Sequence, residues 1–122
     1  MTVTYQTITN FLSRTGLPVY LLGQVPDGAA YPYMVYSLTT APFGRSGSCE
    51  VTGWFRGGDA NALSAAFLDR LTALLPESGV LLALPQARLA LYPAEVSTVR
   101  DKDAIGGRMT LEARSYAAQE VT

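Results

Sequence analysis

At 122 residues the chain suits one domain and is too short for two of ordinary size. It is 48% hydrophobic and 16% charged with a net charge of −1, which excludes a mainly disordered chain and argues against a nucleic-acid-binding surface, normally clearly basic. Histidine is absent and cysteine (Cys49) and lysine (Lys102) occur once each, so Ser-His-Asp and Cys-His relays, histidine-ligated metals, an internal disulfide and a thiolate metal cage are all excluded.

Residues 4–14 read as a short amphipathic helix. Ile8, Phe11 and Leu12 recur at helical spacing, Tyr5 extends the stripe, and Thr4 is placed to cap it. Gly16 and Pro18 stop it. Residues 17–24 carry Val19, Tyr20, Leu21 and Leu22 and read as a short strand, and Pro26-Asp27-Gly28 reads as a turn. Residues 31–40 are rich in Tyr, Val and Met and predict a strong strand, with Pro32 near its start. Alternation puts Tyr31, Tyr33 and Val35 on one face and Met34, Tyr36 and Leu38 on the other. Both faces are apolar, so one is expected to meet a helix and the other a partner subunit.

Residues 40–48, with Pro42, Gly44 and Gly47, predict a long loop. Residues 49–56 then predict a second strong strand, antiparallel to the first. Cys49 in this run is expected to be a small half-buried hydrophobe. Its neighbour Glu50 opposes the positive charge that a reactive thiolate needs. Gly57-Gly58 ends the strand, and a helix over 59–75 follows, with Leu63, Ala66, Phe67, Leu71, Leu74 and Leu75 on its apolar face. Residues 80–84, 88–92, 95–100 and 108–117 read as extended, with 95–100 and 108–117 joined by a loop over 101–107. The main elements are read in the order α-β-β-β-α-β-β-β. This is an α+β class: a single domain over 1–122, with a mainly antiparallel sheet and two helices packed on one face.

Chemistry-bearing motifs are sparse. Gly57-Gly58 lacks the phosphate-binding patterns that need a G-x-G-x-x-G or a P-loop lysine. Asp101 and Asp103 flank Lys102 without further ligands at calcium-loop spacing, so they read as a hairpin tip. No G-x-S-x-G or S-x-x-K pattern occurs, and the chain is not expected to be an enzyme or to hold a cofactor or metal. The longest purely aliphatic run, 80–84, falls far short of the roughly 18 residues a membrane span needs. The N-terminal residues lack a secretory pattern, which predicts a cytoplasmic product.

Three stretches together resemble one family. The first is the turn Pro26-Asp27-Gly28-Ala29-Ala30 followed by Tyr31-Pro32-Tyr33-Met34-Val35-Tyr36. The second is Glu50-Val51-Thr52-Gly53-Trp54-Phe55, followed by a turn and an Ala/Leu-faced helix. The third is the closing hairpin Arg100 to Arg108, then Met109-Thr110-Leu111-Glu112-Ala113-Arg114. This pattern resembles the tail terminator, or tail-completion, proteins of long-tailed bacteriophages, prophages and gene transfer agents. It departs from the family at Gly53-Trp54, where a more regular β-branched strand is usual. The resemblance implies a structural virion protein of the tail or neck, made in the host cytoplasm. It forms a ring, usually hexameric, at the head-proximal end of the tail tube. Its partners are then copies of itself, the tail tube protein and the head connector or stopper, with DNA passing the lumen unbound.

Under this reading the contact-prone residues are Phe43 and Arg45 in the first loop and Asp101, Lys102, Asp103 and Ile105 in the second, with Tyr31 and Tyr33 on the first strong strand. Another head–tail connector or minor tail component is the nearest alternative. From other classes, a small-molecule-binding α+β domain or a hydrolase stays open.

Overall fold

A computed structural model describes residues 3–39, 46–85 and 87–117. It contains helix α1 (Val3–Leu12), a 3-10 turn (Ser13–Thr15), strands β1 (Val19–Leu21), β2 (Tyr33–Thr39) and β3 (Ser46–Arg56), helix α2 (Ala60–Leu74), and strands β4 (Val80–Leu84), β5 (Ala87–Asp101) and β6 (Ala104–Ala117). The six strands form one mixed sheet in the order β1-β2-β3-β6-β5-β4. Every pairing is antiparallel except β1 with β2, which is parallel. The fold is α+β.

The core joins helix residues to one set of strand residues. Ile8, Phe11 and Leu12 of α1 and Phe67 and Leu71 of α2 join Met34, Tyr36, Cys49, Val51, Met109 and Leu111 in one buried cluster. The register explains why these strand residues belong together: Tyr36, Val51 and Met109 stand opposite one another across β2, β3 and β6, as do Leu38, Cys49 and Leu111. Tyr36 ties β2 to α1. Its hydroxyl donates to the Tyr5 carbonyl at 2.9 Å, which leaves the Thr9 hydroxyl to donate to Tyr36 at 2.8 Å. Helix α1 touches both edge strands, β1 and β4, so the sheet curls around it.

Glycines make room for helix α2 against the sheet. An added Cβ on Gly53 would lie 2.6 Å from the Phe67 ring, and one on Gly107 would lie 2.9 Å from Leu68 Cγ and 3.0 Å from Ser64 Oγ. Gly53 and Gly107 are register partners, so together they form one flat seat. This accounts for the Gly53-Trp54 departure: a β-branched residue there has no space. It also corrects the expected helix face. The buried side is Ala60, Ser64, Phe67 and Leu71, while Leu63 is 45% exposed. A serine is buried because only a small residue fits above Gly107.

Several expected boundaries move. The strand expected over 17–24 shrinks to Val19–Leu21, because Gly23 turns the chain at φ 85° and leaves Leu22 exposed. Residues 46–48, expected in a loop, extend β3 and pair with β6. The segments expected separately over 88–92 and 95–100 form the single strand β5, continuous through a bulge between Pro93 and Glu95. A proline is accommodated there because a bulge already interrupts the ladder. The expected loop over 101–107 is a two-residue connection, Lys102-Asp103, with Lys102 at φ 56°. Gly106 and Gly107, which read as punctuation, lie buried inside β6 for packing reasons. On the open face, a Cβ at Gly106 would press on Thr52, Val99 and Trp54.

Candidate interaction surface

The sheet face away from the buried Tyr36–Val51–Met109 row carries Tyr33, Trp54 and Val99 in one cross-strand row, with Arg56 and Asp101 in the next. Arg56, the last residue of β3, lies at the centre of the cluster at this end. Its guanidinium stacks over the Tyr31 ring at 4.4 Å and pairs with the Asp103 carboxylate at 3.2 Å. Tyr31 packs against Tyr33 with ring centroids 5.1 Å apart, and Tyr33 meets Tyr20 of β1 edge-on at 5.9 Å. The turn residues 25–29 border the cluster, leaving an open groove of about 390 Å³ over Pro26, Asp27, Tyr31, Tyr33 and Arg56.

The electrostatics follow from this packing. The Tyr33 phenol is held above its ordinary pKa, mainly by burial and then by the hydrogen bond with Tyr31 and the charge of Asp101, with Arg56 opposing. The cluster is therefore a neutral aromatic surface with one guanidinium and two carboxylates at its edge. Such a surface offers flat apolar area and oriented donors. Tyr and Arg are the residue types that dominate binding energy at protein interfaces.

Of the residues that the sequence singles out, Tyr31, Tyr33, Asp101 and Asp103 come together here, and Lys102 stands on the adjoining turn. Ile105 does not belong to this surface. It pairs with Phe55 and packs on the core cluster. A position that alternates with the open-face residues Ala104 and Gly106 must point inward. Phe43 and Arg45 lie outside the described residues. Arg56 and Tyr20 were missed. A strand-terminal arginine after Trp54-Phe55 was the available signal for Arg56, but its partners are distant in the chain.

Cys49 is on the core face and 1% exposed, more deeply buried than expected; burial first, and Glu50 second, push its thiol up to about 12. Among the described residues no group of His, Cys, Asp and Glu is arranged to hold a metal ion, and no helix is long and apolar enough to cross a membrane.

No family model and no curated protein matches the chain. A solved protein structure superposes on 97% of this chain and 94% of its own length with a TM-score of 0.72 at 14% identity, a likeness that establishes the shared α+β fold alone.

Proposed function

We propose that this chain is one protomer of a tail-terminator ring, a structural part that caps a phage-like tail tube at its head-proximal end and joins it to the head connector. The protomer has the order α-β-β-β-α-β-β-β, with both helices against one sheet face and the other face left for neighbours. The observation that carries the reading is the half-buried Tyr20–Tyr33–Tyr31 cluster with the exposed Arg56 over it. It places aromatic and arginine side chains, the usual anchors of protein contacts, on the side away from the core. The order of sequence motifs supports it independently. Closure into a ring requires a heterologous interface, in which one patch meets a different patch on the next copy. A net charge of −1 suits a lumen that lets DNA pass, since a basic channel would retain phosphates.

The test is electron microscopy and light scattering of the purified protein, alone and with tail tubes. Rings at tube ends are expected. Arg56→Glu reverses the charge over Tyr31 at an exposed site, so it should leave the fold intact while abolishing ring formation. Monomer only, with no binding to tube ends, rules the reading out. A pocket protein, in contrast, would respond to a small-molecule library by thermal shift.

A further inference from the structure

The β5 strand is covered unevenly. One side pairs with β6 from Ala87 to Asp101, whereas the other pairs with β4 only from Ala87 to Leu91. Among the described residues no further backbone bond reaches residues 95–101, so about 23 Å of strand presents unpaired donors and acceptors on an open sheet edge. Proteins blunt such edges with prolines and bulges; here both sit at Pro93–Glu95, and the register beyond them is regular. At the start of this edge lies a groove of about 250 Å³, floored by Leu75 and Met109, walled by Pro93 and Val96, and bordered by Glu77. Cavities of about 150 Å³ hold a benzene ring, so one aromatic side chain fits. Val96 is 50% exposed and pairs with Met109, so both point to one face. Glu95 alternates to the other face, in a row with Thr110 and Glu50. Glu50 pairs with Arg108 at 3.4 Å, but among the described residues neither Glu77 nor Glu95 has an ion-pair partner.

These groups specify an added strand position by position. Opposite Val96 it needs a large apolar side chain to enter the groove. Opposite Glu95, one position on, it needs a cation, and the next position, beside Glu77, needs another. The described edge strands of this chain do not supply that pattern: β1 is Val-Tyr-Leu and β4 is Val-Leu-Leu-Ala-Leu, without a cation in either. Residues 95–101 paired antiparallel with their own copy over the full edge would set Glu95 opposite Asp101, like charge against like. We infer that the free edge of β5 takes an extended basic segment of a different protein as an added strand, with an apolar side chain over Leu75, Met109 and Val96 and cations against Glu95 and Glu77. The site goes beyond the ring reading and does not rest on it.

The test is titration of the full chain with the labelled peptide Thr-Val-Thr-Phe-Lys-Arg, which matches the pattern in antiparallel pairing, and with the same residues in reverse order for parallel pairing. Fluorescence anisotropy reads binding, and amide hydrogen exchange reads its place. One of the two peptides should bind and slow exchange at the alternate amides of 95–101 that β6 leaves free. Glu77→Lys and Glu95→Lys, both at exposed positions, should each weaken binding about tenfold, and a peptide with Glu in place of its Lys and Arg should bind the doubly reversed protein instead. Val96→Arg should abolish binding. No binding of either peptide up to about 1 mM, binding indifferent to the charge reversals, or protection away from 95–101 overturns the inference. Self-association that Val96→Arg disrupts, with neither peptide bound, would assign the edge to a second copy and overturn it too. No tail tube or ring enters these measurements, so their failure leaves the terminator reading standing, and absence of rings leaves this site standing.

Discussion

Gly53→Ala tests the seat on which α2 rests. The added methyl carbon would lie 2.6 Å from Phe67 Cε2 and 2.8 Å from two further ring carbons. Carbon contacts settle near 3.5–4.0 Å, so the ring or the helix must retreat by about 1 Å. Phe67 is 0% exposed and packs against Phe55 at a centroid distance of 5.7 Å, so it has no free direction of escape. Overpacking of this kind costs about 1–3 kcal/mol. Removing a strand glycine returns about 0.5–1 kcal/mol by restricting the unfolded chain. The net loss is about 1–2 kcal/mol, a fall in Tm of roughly 4–10 °C for a domain of this size. Differential scanning calorimetry or thermal circular dichroism reads it. Phe67→Leu in the Gly53→Ala background should recover part of the loss, with a coupling of about 0.5–3 kcal/mol in the double-mutant cycle. A Gly53→Ala protein that melts within about one degree of wild type would show that α2 does not bear on this strand, and the account of the glycine pair would fall with it.

Two further outcomes are expected. Tyr36→Phe removes the hydroxyl that bonds the Tyr5 carbonyl and Thr9, and urea unfolding should show a loss of about 1–2 kcal/mol with the m-value unchanged. Burial of Cys49 favours its neutral thiol, so its contribution is present below the unfolded pKa of about 8.5 and is lost as pH rises toward the folded value of about 12. Wild type should therefore lose stability relative to Cys49→Ala by about 1.4 kcal/mol for each pH unit in that window, and thiol reagents should label Cys49 only after unfolding. Equal alkaline slopes for the two proteins would contradict the burial.

Much of the site was legible in the sequence as composition and little of it as geometry. Tyr31 and Tyr33 stand out because an aromatic strand with apolar residues on both faces needs two coverings. Their organiser, Arg56, is invisible until the β3–β6 register brings residues 56 and 103 together. The free edge of β5 was equally hidden: its existence depends on where β4 stops, which only the pairing fixes.

The sequence alone determined the local periodicities. The Ile8–Phe11–Leu12 stripe forms a helix and the alternating Met109–Leu111–Ala113 run forms a strand because side-chain spacing is a short-range property. It also determined the chemistry that is impossible, since no fold can supply a histidine or a second cysteine. Tertiary structure decided what the glycines mean. Gly53, Gly106 and Gly107 read as interruptions of strands, yet they are the positions where a helix and a tryptophan approach the sheet most closely. That approach joins residues far apart in sequence, so no local pattern encodes it.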